Sequence, residues 1–111
     1  MRRRYIAFKV LSESRLSPRE VYSAILESMA RLFGARGLSE ANLRLVSFDP
    51  SKGVGILRCS HRAVWMVRAS LALISHVSSS RVSMHAVRVS GTIRALREKV
   101  RLGVQPCTSR T

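Results

Sequence analysis

The chain has 111 residues, 46% of them hydrophobic, which suffices for one domain with an apolar core and excludes a disordered chain. Its formal net charge is +14, with 20 Lys and Arg against 6 Asp and Glu, and nucleic acid is the usual partner of so basic a protein. The charge is uneven: residues 1–49 hold nine basic and five acidic residues, whereas residues 50–111 hold eleven and one.

The first half of the sequence predicts a strand, a helix and a hairpin. Apolar side chains alternate with others from Tyr5 to Leu11, which is the period of a strand with one buried face. Ser17 and Glu20 have the spacing of a helix capping box. The glycines at 34 and 37 are expected to end that helix. The elements of this half are a strand at 5–11, a helix from 17 to the glycines, strands at 42–48 and 54–59, and a turn at 49–53 between them.

The second half predicts a helix, a strand and a further helix. Val64, Val67, Leu71 and Ile74 recur at helical spacing and predict a buried stripe. A serine run then predicts a loop, and Gly91 is expected to break the following strand. The elements of this half are a helix at 60–76, a loop at 78–80, a strand at 82–89, a helix at 92–102 and a flexible tail at 103–111.

This order of elements is β-α-β-β-α-β with one extra helix. It is the split-βαβ arrangement of ferredoxin-like and RRM-like folds. We therefore predict an α+β protein, an α/β sandwich whose four-stranded antiparallel sheet carries two helices on one face, with a C-terminal helix added. Residues 1–102 are expected to form this single RNA-binding domain. No apolar stretch is long enough for a membrane span, and we expect a cytoplasmic protein.

The sequence shows no pattern typical of catalysis or of metal binding. Asp49 is the one aspartate, and it precedes a proline in a turn. The three histidines and two cysteines have no metal-ligand spacing, and no glycine-rich phosphate loop occurs. We predict no catalytic residue, no metal site and no cofactor bound by the protein. Acylphosphatase activity, which the same fold can host, remains an alternative that a hydrolysis assay would test.

The third strand has the spacing of the RNA-recognition sheet motif K-G-F-G-F-V-x-F. Its aromatic positions are occupied by Val54, Ile56 and Cys59, so Tyr5 or Phe8 would offer at most one stacking platform. An ordinary buried strand after a glycine turn is the alternative interpretation. Any RNA bound here is expected to be held mainly through its phosphates.

The last predicted helix places three arginines on one face, at positions 94, 97 and 101. An arginine stripe at this spacing suits phosphate contacts, although a solvated basic face would look the same. Basic residues elsewhere in the chain, and the glycine and threonine that open this helix, extend the set. The RNA-binding candidates are Arg2, Arg3, Arg4, Lys52, Arg58, Arg62, Arg68, Gly91, Thr92, Arg94, Arg97 and Arg101.

Three segments, in this order and spanning nearly the whole chain, resemble a known family. They are Arg4-Tyr5, Gly53-Val54-Gly55-Ile56-Leu57-Arg58-Cys59 and Val89-Ser90-Gly91-Thr92-Ile93-Arg94. The family is the small ribonuclease P protein of archaea and eukaryotes called protein component 2. The resemblance implies a protein that assists a catalytic RNA in removing the 5′ leader from precursor tRNA. The active site and its Mg²⁺ ions would then belong to the RNA subunit.

The resemblance also implies partners and residues. Ribonuclease P RNA, precursor tRNA within the complex and protein component 3, in a two-plus-two assembly, are the expected partners. Arg58, Gly91, Thr92 and Arg94 match the family segments and would be tested first. One apolar surface should serve the partner protein, and we assign Val64 and Trp65 to it.

Two other classes of protein fit parts of the sequence. A ribosomal or other basic RNA-binding ferredoxin-like protein would show the same charge, and co-purification with the ribosome would favour it. A small-ligand regulatory domain of the ACT type shares the strand order but needs no charge of +14. Thermal stabilisation by an amino acid would favour that second class.

Overall fold

The computed structural model describes residues 2–92 and Arg94. Within that range, two helices, a single 3-10 turn and five strands follow one another in nearly the predicted order. Their bounds are β1 (Arg3–Ser12), α1 (Pro18–Ala41), β2 (Arg44–Asp49), β3 (Val54–Ser60), the 3-10 turn (His61–Ala63), α2 (Val64–Leu73), β4 (His76–Val77) and β5 (Ser80–Ser90).

The strands form one antiparallel sheet in the order β2-β3-β1-β5-β4, with β1 at its centre. The predicted antiparallel α+β architecture is thus confirmed, but the predicted count of four strands is wrong. The extra strand, β4, begins at His76, the residue at which the second helix was expected to end. The backbone is already extended at Ile74, and Ser78 adopts a left-handed φ of 56°, which makes a tight turn into β5.

The start of α1 follows the predicted capping box. The Ser17 hydroxyl accepts a hydrogen bond from the Glu20 amide at 3.2 Å, and the Ser17 amide donates to the Glu20 carboxylate at 2.9 Å. Two donors at the helix start are therefore satisfied by these two residues.

The predicted end of α1 is wrong, because the helix passes both glycines. Gly34 has φ 74° and ψ 178°, which kinks the helix without stopping it. Gly37 is buried, and an added Cβ would lie 2.5 Å from Phe33 Cβ, so its lack of a side chain permits close packing. The helix ends at Ala41, where Asn42 takes a left-handed cap conformation.

Both helices cover the same face of the sheet. Ile6, Phe8 and Val10 of β1 point to that face and share one buried cluster with the helical stripes, which include Ile25 of α1 and Leu71 of α2. Since successive side chains of a strand alternate between faces, the residues between them point the other way. Neither helix of the described residues covers that other side, and we call it the open face.

The predicted third helix lies outside the described residues, apart from Thr92 and Arg94. The arginines at 97 and 101 and the predicted tail at 103–111 lie there as well. No helix in residues 2–92 is long and apolar enough to cross a membrane.

Candidate nucleic-acid interface

One row of side chains crosses the open face from strand to strand. Arg44 of β2 pairs with Arg58 of β3, Arg58 pairs with Tyr5 of β1, and Tyr5 pairs with Ser90 of β5. Neighbouring strands lie about 4.8 Å apart, so the four side chains stand side by side. We call these four residues the Tyr5 row.

An apolar patch occupies the middle of the open face. Ala7 and Ile56 are paired across β1 and β3 and are only 1% and 5% exposed. Half-buried Tyr5 and Val46 pack against them, forming a cluster separate from the main core. The patch is therefore a small second core beside the Tyr5 row, and its partly exposed members are Tyr5 and Val46.

Basic side chains surround this patch. Arg44 and Arg58 stand at one end of it, Arg88 of β5 pairs with Ala7, and Lys9 of β1 lies two residues beyond Ala7. An apolar centre bordered by cations matches a nucleotide, since a base is flat and apolar on its faces and a phosphate is anionic.

No carboxylate neutralises these cations within the described ranges. The ion pairs found there are Arg31–Glu27 at 3.7 Å and Arg36–Glu40 at 3.4 Å, and both lie on α1. Arg44 and Arg58, by contrast, face each other directly across two strands, an arrangement that destabilises a sheet by like-charge repulsion. A bound phosphate would relieve that repulsion.

Asp49, at the end of β2, forms hydrogen bonds within the β2–β3 turn and no ion pair with these cations. Its carboxylate accepts hydrogen bonds from the Ser51 hydroxyl at 2.7 Å, the Ser51 amide at 2.9 Å and the Lys52 amide at 3.4 Å. These bonds, the one from the Ser51 hydroxyl above all, hold the pKa of Asp49 below its usual value. The acid therefore stays ionised and shapes the turn.

Arg88 of β5 is partly enclosed by the sheet surface. Its side chain is half-buried, and its Nε is buried without a hydrogen-bond partner among the described atoms. A buried donor without an acceptor costs free energy.

Comparison with known proteins places the chain in a family. Residues 4–101 match the model of the Rpp14/Pop5 family. The chain belongs to this family. The match covers every strand and helix described above except the first residue of β1.

Curated members of the Rpp14/Pop5 family resemble the chain over most of their length. A protein of Pyrococcus furiosus named ribonuclease P protein component 2 is 37% identical over 98 residues, covering 88% of this chain and 82% of the relative. Its namesake in Archaeoglobus fulgidus is 38% identical over 98 residues, covering 88% and 87%. The family resemblance predicted from sequence motifs is thereby confirmed.

A solved structure shows the same fold. One chain in the cryo-EM structure of yeast ribonuclease MRP superposes with a TM-score of 0.67 and 11% sequence identity, covering 97% of this chain and 95% of that one. At this identity the likeness concerns the fold alone.

The three sequence segments that indicated the Rpp14/Pop5 family meet on the open face. Tyr5 comes from the first segment, Arg58 from the second and Ser90 from the third, and they are consecutive members of the Tyr5 row. Gly91 follows Ser90 at the edge of the sheet, where the Thr92 amide donates a 3.2 Å hydrogen bond to the Ser90 hydroxyl. Segments distant in sequence therefore form one surface.

The other candidate residues lie elsewhere. Arg4 points to the helix side, where its NH1 is 3.8 Å from the place that a Cβ on Gly91 would take. Lys52 lies in the β2–β3 turn. The remaining described candidates are exposed: Arg2 just before β1, Arg3 at its start, Arg62 in the 3-10 turn, Arg68 on α2, and Thr92 and Arg94 after β5.

The two aromatic residues proposed as platforms face opposite sides. Phe8 is fully buried on the helix side, where its ring lies 6.1 Å from that of Phe48 at an interplanar angle of 11°. Phe8 is therefore excluded as a stacking platform. Tyr5 is the aromatic residue that the open face presents.

Sequence reasoning missed Lys9, Arg44 and Arg88. The alternation in β1 already placed Lys9 on the face of Tyr5, so that signal was present. Arg88 was hidden by a β-bulge: Ala7 pairs with Arg88 but Phe8 pairs with Ala86, so one residue of β5 is unpaired. The bulge turns Arg88 to the open face, whereas simple alternation from Ala86 would turn it to the helices.

Proposed function

We propose that this chain is a protein subunit of ribonuclease P, which binds the catalytic RNA and helps it to remove 5′ leaders from precursor tRNA. The main observation behind this proposal is the arrangement of the open face. Four cations surround its apolar patch, and none has a carboxylate partner in the described part of the chain; they are Lys9, Arg44, Arg58 and Arg88. Membership of the Rpp14/Pop5 family and the name of its archaeal relatives support the same conclusion.

In this account the protein supplies binding and the RNA supplies the chemistry. Arginine and lysine side chains neutralise phosphates that repel one another when an RNA folds tightly. The Mg²⁺ ions of the reaction are proposed to bind the RNA subunit. We also propose that the complex works in the cytoplasm, where an archaeal cell makes its precursor tRNA.

Reconstitution tests this proposal. Archaeal ribonuclease P RNA is mixed with precursor tRNA, moderate Mg²⁺ and the partner protein component 3, with or without this chain, and release of the leader is measured. We expect cleavage to rise only when both proteins are present. Unchanged cleavage, together with binding to this RNA no tighter than to an unrelated structured RNA, would refute the proposal.

We further propose that protein component 3 docks on the helix layer, in a two-plus-two assembly. Trp65 on α2 is 64% exposed, and Leu73 at the end of the same helix is 63% exposed. Phe33 of α1 holds the Trp65 ring edge-on at 5.3 Å and 82°. Val64 packs against the core, so Trp65 would contribute more of this interface.

Trp65 is also the only tryptophan of the chain, so its fluorescence reports on this surface directly. Adding component 3 should shift the emission to shorter wavelength, and Leu73→Ser should weaken the complex. Light scattering should give the mass of two copies of each chain. An emission that RNA changes and component 3 does not would assign the surface to RNA instead.

A further inference from the structure

We infer that the open face binds an unpaired nucleotide of single-stranded RNA, with its base on Tyr5 and its phosphate between Arg44 and Arg58. This inference rests on the proposed function and deepens it, because it names the kind of RNA that the site takes. The observations that carry it are the cross-strand order of the Tyr5 row and the apolar patch beside it.

The base is placed by the apolar patch. Ala7 and Ile56 are 1% and 5% exposed and pack beside the Tyr5 ring, so the part of Tyr5 that remains exposed is the surface offered to the base. Aromatic side chains on a sheet stack on bases that have left their own helix. In a duplex each base is already stacked on both faces, so a flat sheet surface reaches only its edges and backbone.

The phosphate is placed by the two paired arginines. Residues directly opposite in an antiparallel pair have Cα atoms about 4.5–5.5 Å apart, so the guanidinium groups of Arg44 and Arg58 can share one phosphate. Arg58 is also the direct neighbour of Tyr5. A phosphate bound there is therefore adjacent to a base stacked on that ring.

Further donors border the stacked base on the β5 side. Arg88 pairs with Ala7 on this side, so its guanidinium group borders the base and can donate to a base oxygen or to the ribose 2′-hydroxyl. The Ser90 oxygen accepts from the Thr92 amide, and a hydroxyl that accepts can also donate, here to the ribose. The face thus offers a group for each part of one nucleotide.

The test measures binding of the full chain to short labelled RNAs by fluorescence anisotropy. The probes are a ten-nucleotide single strand, the same strand in a duplex and the same strand with abasic positions. We expect the single strand to bind most tightly and one abasic position to weaken it. Tyr5→Leu should lose about 5- to 140-fold in affinity for the single strand, the range for one stacked base.

Two further variants separate stacking from charge. Tyr5→Phe keeps the ring and should bind as the natural chain does, whereas Arg44→Ala should lower affinity for single strand and abasic strand alike. Thermal unfolding of each variant checks that the fold is intact. Equal binding of duplex and single strand, or a Tyr5→Leu variant that folds and binds normally, would overturn the inference.

The outcome also distinguishes this inference from the proposed function. Successful reconstitution of ribonuclease P combined with no preference for single strands would refute the inference alone. Preferred binding of single strands combined with failed reconstitution would refute the ribonuclease P assignment alone. Normal RNA binding by Tyr5→Leu with loss of a protein partner would assign the open face to protein.

Discussion

Removing the three arginines of the open face should make RNA binding less sensitive to salt. The perturbation is the triple variant Arg44→Ala, Arg58→Ala and Arg88→Ala. Each phosphate contact to single-stranded RNA adds roughly 0.7 to the slope of log affinity against log salt, so the variant should lose about 2 from that slope. Between 50 and 200 mM salt, the natural chain should therefore lose roughly 16-fold more affinity than the variant does.

The assay is fluorescence anisotropy of a labelled RNA at four or more salt concentrations. The matched control removes three arginines of α1 that lie on the other side of the sheet, Arg19, Arg31 and Arg36, two of which are paired with glutamates. The control lowers the net charge by the same amount, so its slope should stay close to that of the natural chain. Equal slope changes in both variants would show that net charge, and not the open face, governs binding.

Three further predictions concern single residues. Arg44→Glu places a carboxylate opposite Arg58, so it should raise the free energy of unfolding in urea by about 0.2–1 kcal/mol and weaken RNA binding. A lower free energy of unfolding would contradict the pairing of these two residues. Hydrogen bonds from Ser17 and Ser78 lower the pKa of Glu20 below 4.5, so the stability that the ionised carboxylate contributes is present above pH 4.5 and is lost as the pH falls below it. Below pH 4.5 the melting temperature of Glu20→Gln should therefore fall less steeply with pH than that of the natural chain, and parallel curves of melting temperature against pH would count against the cap. Burial raises the pKa of the Cys59 thiol to about 11, so Cys59 should react with a disulfide reagent only after unfolding. The assay uses a variant whose other cysteine is serine, and rapid reaction of that folded chain would refute this expectation.

Patterns of residues close together in the sequence predicted the start of α1 and the position of β1. The capping box at Ser17 and Glu20 uses residues three apart, and the alternation in β1 reflects a strand with one buried face. The end of α1 could not be predicted in this way. Gly34 kinks the helix, and the packing of Gly37 against Met66 of α2 is a tertiary contact that outweighs the usual preference of glycine for helix ends.

The site was only partly predictable for a related reason. Arg58 could be found because its segment has a recognisable pattern, but its neighbours depend on strand register. Two irregularities, one in β2 near Val46 and one in β5 at Val87, shift the alternation of those strands. They decide that Arg88 reaches the open face and that Phe48 packs in the core, and alternation along a single strand cannot indicate either outcome.

The most direct test of the central claim, that the open face holds the RNA, is a photochemical cross-link. Ribonuclease P RNA containing 4-thiouridine is bound to the chain, irradiated and digested, and the cross-linked peptides are identified by mass spectrometry. We predict cross-links in β1, β3 and β5, with Tyr5 among the modified residues. Cross-links confined to the exposed surfaces of α1 and α2 would contradict the account.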